Sequence, residues 1–466
     1  MSPSGLHSTP CAAFLLAIFP GLAIPAGATS SEPSTSSVIN AETVAGLPEA
    51  GDDEYRYLRQ FRESMAGAQY QEAEVSAKQL LEHLQSLEAV PPTSTAVALS
   101  NLGLVQRLTG QYESSAQNYR AAISVIQRQD DMLSGRLIEP LQGLATTHRD
   151  SGDYGEALRT YDQALHISHV NDGPNSIRQA QVLSGMVDVN LAADNPSAAF
   201  GLLDRMYGLY ERRYSVNALE LLPVLYERAE LLNRLDRHGE ERRTYRQITR
   251  IMTKNYGQTD PALIDPYVAI GRTYMHEASE VVFRSEPTTQ NGETFFQMAL
   301  KVAEANPQLG PETLAACVLA LGDYYTVMSV NDLAELQYRR AWDLLSADDL
   351  LGVRRAYFEV PVPLRRTALG KYPDFDYGWS SSDVNADELK GGYIVARFKV
   401  NARGRVKDVE LVESDPPDFS QMETRVRFGV KDFIYRPRIL DGEPAASSDI
   451  LYRHNFFYRT SDLEPK

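Results

Sequence analysis

Cysteine is nearly absent from this chain, with two in 466 residues, Cys11 and Cys317. Cys11 opens an apolar leader expected to be removed, so no intrachain disulfide is expected in what remains. Cys317 sits among Ala315, Ala316, Val318 and Leu319, which suits a buried small hydrophobe and not a reactive thiol. Catalytic signatures are missing too: there is no glycine-rich phosphate loop, nucleophile elbow or zinc-binding helix motif. Histidines are few and scattered. His166 and His169 are spaced to share a helix face, but no acidic residue clearly converges on them, so no metal site is expected. The chain is therefore expected not to be an enzyme and to need no cofactor.

Positive charge is also in short supply. Against 62 Asp and Glu stand 46 Lys and Arg, a net charge of −16. Phosphate contacts need clustered cations, so nucleic acid is excluded as a partner, and anionic lipid is disfavoured. Residues 385–466 are electrically neutral, so the excess acid lies upstream of them. Long apolar runs are lacking after the first 28 residues, which carry no charged side chain. There Cys11 to Phe19 is apolar, Pro20 and Pro25 interrupt, and Ala26-Gly27-Ala28 offers a small-x-small cleavage site. Residues 1–28 are read as a secretory signal peptide cut after Ala28, and 29–53 as a disordered lead-in rich in Ser, Thr, Ala and Glu. After cleavage no membrane insertion is expected; an uncleaved membrane anchor is the alternative.

What is present in abundance is repetition. Units begin near Glu54, Ala96, Ile138, Ala180, Leu222, Ile264 and Ala315, so five steps are 42 residues and the sixth is 51. The nine extra residues fall around Glu286 to Gly292. The clearest unit reads Leu144-Ala145, Gly152-Asp153-Tyr154, Ala157, Tyr161, Ala164; others repeat it at Leu102-Gly103, Gly110-Gln111-Tyr112, Tyr119, Ala122 and at Leu321-Gly322, Tyr325, Ala334, Tyr338, Ala341. A Gly or Ala at the eighth position lets helices approach closely, and a mid-unit Gly breaks the chain between them. Small, aromatic and small residues at helical spacing mark one buried face of the second helix. A period in this range belongs to a stacked-repeat scaffold.

This set resembles the tetratricopeptide repeat (TPR), in a variant longer than the common form. The match is strong in the units at 96, 138 and 315, and weaker at 180 and 222, where Asp194-Asn195-Pro196 and Asp236-Arg237-His238 replace the turn. The expected fold is mainly α: a solenoid of about seven helical hairpins over 54–347, and then a small α+β domain. A protein or peptide partner is what the resemblance implies. In such arrays the first helices line the concave groove, where positions nine, twelve and thirteen supply Arg62, Arg107, Arg149, Arg234 and Arg272. These arginines either grip partner carboxylates or neutralise acids on adjacent helices, the second being the preferred reading.

The pattern changes after Leu351. Residues 348–384 read as a Pro-containing linker, or as an extended segment packed on the last repeat. In 385–460, Tyr393 to Val400 reads as a strand, Asn401 to Gly404 as a turn, and Val406 to Val412 as the return strand. Asp418 is placed as the N-cap of a helix to Val430. Phe433 to Ile439 is extended, and Ile450 to Tyr458 is a closing strand. This strand–strand–helix–strand order, with Phe398 to Val406, Val409 to Ser414, and Phe433, Tyr435 and Pro437, resembles the C-terminal domain of TonB, the periplasmic partner of outer-membrane receptors. The Pro-rich spacer of that family is missing, and Phe433 stands where Trp is usual. The resemblance implies docking of a receptor segment by β-augmentation on Ile450, Tyr452, His454, Phe456 and Tyr458. Cover of that edge by the linker or by a second copy is equally open. Together these readings give an exported periplasmic scaffold. The alternative is a TonB-type energy transducer or transport accessory held in the inner membrane by an uncleaved N-terminus.

Overall fold

The computed structural model describes residues 52–87, 92–277, 292–367, 369–370 and 390–463. Residues 1–51, which hold the expected signal peptide and most of the lead-in, lie outside them, as does 278–291, where most of the insertion falls. Fourteen described helices pair into seven antiparallel hairpins: α1 (Asp52–Ala66) with α2 (Tyr70–Ser86), α3 (Pro92–Leu108) with α4 (Tyr112–Gln129), α5 (Ile138–Asp150) with α6 (Tyr154–Asp172), α7 (Gln179–Ala192) with α8 (Pro196–Arg213), α9 (Leu222–Arg234) with α10 (His238–Tyr256), α11 (Ile264–Glu277) with α12 (Gly292–Ala305), and α13 (Gly310–Val327) with α14 (Asn331–Leu344). The array is thus a TPR-like solenoid. No described helix is long and apolar enough to cross a membrane.

One backbone device makes the hairpins alike. Ala68, Gly110, Gly152, Asp194 and Asp236 take left-handed φ values of 54, 79, 86, 53 and 55°, one period apart, and Ser329 (63°) does so in the last hairpin. Each ends its first helix in the same way: Gln111 N donates to Gln106 O at 2.8 Å, Asn195 N to Asn190 O at 2.8 Å, and Arg237 N to Leu232 O at 2.9 Å. These bonds satisfy carbonyls that a helix end leaves open. The turns at 194 and 236, weaker matches by sequence, therefore keep the same geometry. Asp tolerates the left-handed region, so it can serve where Gly is expected.

Packing follows the period. At its twentieth position Ala73, Ser115, Ala157, Ala199 and Ala334 are fully or almost fully buried. At its twenty-fourth lie the buried rings Tyr119, Tyr161, Phe296 and Tyr338. Tyr119 is wedged against the next hairpin where a Cβ on Gly143 would come within 2.2 Å of the ring; Tyr161 meets Gly185 in the same way at 2.4 Å. These glycines, at the sixth position of their units, set how closely successive hairpins stack. A side-chain clamp repeats as well. Asn171, Asn255 and Asn306 each donate to the carbonyl four residues back and to the preceding inter-hairpin loop, at Leu133, Asn217 and Thr259, over 2.7 to 2.9 Å.

Beyond the array, the described part of 348–384 is more structured than a linker. Leu351–Phe358 forms α15, which buries Tyr357 and Phe358, and Val362–Arg365 forms strand β1; residues 371–389 lie outside the described set. The C-terminal module contains β2 (Lys390–Val400), β3 (Val406–Asp415), α16 (Ser420–Lys431), β4 (Ile434–Arg436), β5 (Arg438–Leu440), β6 (Glu443–Ala445) and β7 (Ser447–Tyr458). Strands order as β3-β2-β7, all antiparallel, while β1 pairs with β4 and β5 with β6. Met422, Val426 and Val430, four apart on α16, meet Ile394, Ala396, Phe398 and Phe456 in a core of their own. The helix begins later than the sequence suggests. Asp418 stands at φ 58° and is not the N-cap, because the chain must turn after Pro416-Pro417; Phe419 takes that place.

Candidate interaction surfaces

The described residues form one compact unit, and a buried ion pair lies at the junction of its array and module. Arg436, 3% exposed, comes from β4 and grips Asp323 of α13 with both arms, Nε to Oδ1 at 2.8 Å and Nη2 to Oδ2 at 2.6 Å. Its Nη1 donates to Tyr357 O at 3.1 Å, and Tyr338 Oη donates to Asp323 Oδ1 at 3.0 Å. Burial works against the guanidinium's charge, but the paired carboxylate outweighs it and holds Arg436 above its ordinary pKa. Arg405 adds a bond to Ser329 Oγ at 2.6 Å, and Arg339 pairs with Glu443. Apolar Ile434 and Ile439 complete the core of the last hairpins together with Tyr357 and Phe358. The module thus covers a terminal hairpin that would otherwise expose its apolar side.

The five arginines do not form one cluster. Arg107 of α3 bonds Asp150 of α5 at 2.7 Å; Arg149 bonds the same Asp150 at 2.8 Å and reaches Asp188 of α7 at 3.3 Å. Three successive first helices are linked by this ladder, so these two arginines neutralise neighbouring acids. Burial raises the Asp188 pKa, with Arg149 opposing. Arg234 is exposed and makes no ion pair among the described residues. Arg62 is half-buried, with Nη2 unbonded. Arg272 keeps a water-exposed flank, yet enough protein surrounds it that desolvation lowers its pKa, opposed by Asp323 and Asp265. The first-helix face is therefore a mixed-charge surface and not a uniform cationic groove.

On the module, β7 is an edge of its sheet, with no strand on its outer side among the described residues. The five alternate residues picked out by sequence turn toward the module core: His454 and Phe456 are buried, and Ile450, Tyr452 and Tyr458 are half-buried against it. Leu451, Arg453, Asn455 and Phe457 face outward. His454 Nε2 lies 2.9 Å from Gly370 O, and the adjacent Leu369 is buried in the same core. The post-array segment thus covers the module's side chains beside β7. An incoming strand would meet the β7 main chain and the outward residues.

Sequence reasoning missed three features. One is the Arg436–Asp323 junction. Another is Glu241, 4% exposed where other hairpins place Ala, Ser or Gly, and held by Asn233 Nδ2 at 3.1 Å and by His238 at 3.1 Å. His276 stacks on His238 at 4.5 Å, and burial lowers its pKa. The third is a cationic stripe of Arg242, Arg246, Arg250 and Lys254 at four-residue spacing on α10, legible only when charges are read helix by helix. Cys317 is buried, its thiol pushed up to about 12 by desolvation. His166 and His169 are exposed, and no three potential metal ligands converge among the described residues.

No family model matches this chain, and no curated protein does. Among solved structures it is similar to the C-terminal part of a TPR repeat-containing protein from Cytophaga hutchinsonii, at 9% identity and a TM-score of 0.43, covering 63% of this chain and 98% of that one. A tetratricopeptide repeat protein from Parabacteroides merdae gives 14% and 0.34, over 66% and 99%. A Rap protein complexed with competence and sporulation factor gives 13% and 0.36, over 67% and 80%.

Proposed function

We propose that this chain is an exported periplasmic adaptor. Its hairpin array binds a protein or peptide partner, and its C-terminal, TonB-like module docks an envelope or outer-membrane receptor segment along β7. The observation that carries this reading is the junction between two surfaces, the first-helix face and a strand edge that no described strand pairs, held together by a buried bidentate ion pair. A single repeat array needs no such second head. Strand addition draws affinity from main-chain bonds, which suits an edge whose inward side chains are committed to the core. The export reading rests on residues 1–28, which carry no charged side chain and contain the apolar run Cys11 to Phe19.

Two measurements test it. N-terminal mass analysis of the protein from fractionated cells should find it in the periplasm beginning at Thr29; an intact Met1 in the membrane fraction would favour the energy transducer instead. Photo-crosslinking residues placed at Arg234 and at Phe457 in the full chain should capture two different proteins. Capture of one protein by both, or of none, contradicts the two-headed reading.

A further inference from the structure

A cleft of about 550 Å³ opens where the post-array segment meets the C-terminal module. Its lining combines apolar Val360, Pro361, Val400 and Ile450 with the cations Lys399, Lys407 and Arg438. Lys399 is engaged by Asp408 at 2.9 Å, and Glu359 is the only acid lining the cleft among the described residues. That leaves Lys407 and Arg438 with no carboxylate partner among the described residues. Two donors of the lining residues are also buried without an acceptor: Arg438 Nε, and the hydroxyl of Ser447, a residue 9% exposed. A buried donor left unbonded costs on the order of 1–3 kcal/mol, so a folded protein rarely retains two together at one cleft.

We propose that this cleft binds a carboxylate carried on a small apolar group, with Arg438, Lys407 and Ser447 holding the oxygens and the lining residues Val360 and Pro361 holding the aliphatic part. Guanidinium and hydroxyl donors supply charge-assisted bonds to a carboxylate, and the apolar lining separates such a ligand from a bare inorganic anion. Two sources share this chemistry: the C-terminal residue of a peptide, and a free branched-chain acid. Because the cleft lies between the post-array segment and the module, its occupant would also brace the contact of those two parts. This inference does not depend on the adaptor reading.

The test is calorimetric titration of the full chain with three probes: N-acetyl-Ala-Ala-Val as the free acid, the same peptide as its C-terminal amide, and 3-methylbutanoate. The free-acid peptide should bind at least about tenfold tighter than its amide, the scale of one charge-assisted contact. Lys407→Gln and Arg438→Gln should each weaken it by roughly fivefold or more on the same grounds. Lys407 is exposed, so its variant tests the site even if Arg438→Gln disturbs folding. If 3-methylbutanoate matches the peptide, the site takes a free acid; if only the peptide binds, it takes a chain terminus. Equal affinity for acid and amide, no binding of any probe, or unchanged affinity in both variants overturns the proposal.

Discussion

Replacing Arg436 by Met removes the charge that Asp323 is folded around while keeping most of the side chain's length. The carboxylate then stays buried, 7% exposed, with the Tyr338 hydroxyl as its remaining described side-chain partner. Breaking one side of such a pair costs about 3–5 kcal/mol. The loss falls between two parts of the molecule, so the module should loosen from the array before the array itself melts. Trp342 reports on this directly, because its ring packs 5.5 Å from Phe358 of the covering helix α15. In a Trp379→Phe background, urea titration followed by Trp342 fluorescence and by far-ultraviolet circular dichroism should give coincident transitions in the parent. Arg436→Met should separate them, the fluorescence change coming first. Pairing it with Asp323→Leu should recover most of the loss, because an apolar pair of similar volume often replaces a buried ion pair without penalty. As a control, Arg397→Gln, which breaks an exposed pair at 3.9 Å, should cost no more than about 1 kcal/mol. A cost below about 1 kcal/mol for Arg436→Met, far under the buried-pair range, with coincident transitions, would refute the claim that this pair joins the two heads.

Gly143→Ala and Gly185→Ala should each destabilise by about 1–3 kcal/mol in chemical denaturation despite better helix propensity, because the new methyl meets a buried tyrosine ring. Gly110→Ala, which has open space around it, should lose only about 1 kcal/mol from its left-handed backbone, and Ala68→Gly should be neutral or stabilising. Burial lowers the His454 pKa in the folded state, so the unfolded chain binds that proton first. The stability it affects is lost as pH falls through about 6.5, the unfolded histidine value; a His454→Gln variant should show a flatter urea midpoint between pH 7.5 and 5.5.

Much of the array can be read from its residues, because one backbone solution recurs at one step. Helices α5, α9 and α11 begin at the unit starts Ile138, Leu222 and Ile264. The aromatic of the sixth hairpin, Phe296, is harder to find, since the insertion shifts it by nine residues. The turns at Asp194 and Asp236 look degenerate only if Gly is required there. In the module, the succession of strands along the chain follows from alternation and turn residues. That same alternation already sends Ile450, Tyr452, His454, Phe456 and Tyr458 to one face, and an apolar face packs inward. The junction is not legible in this way. Asp323 and Arg436 are 113 residues apart, and nothing local marks an arginine beside Pro437 as the partner of an aspartate in a helix otherwise full of apolar residues. Strand β1 is hidden by Pro363, which is tolerated because β1 has only β4 beside it.

The left-handed residue found at the turn of six of the hairpins gives the array a natural cutting line. A segment from one such residue to the next, Gly152 to Asp194 for instance, begins and ends on the same backbone conformation and spans a whole unit. Removing or duplicating such a segment would change the distance between the N-terminal hairpin and the β-module in steps of one hairpin, with the local path of the chain unaltered at the splice. Length is therefore an adjustable dimension of this molecule, while the fixed joint at Asp323 and Arg436 keeps the last hairpin and its module together whatever length is chosen.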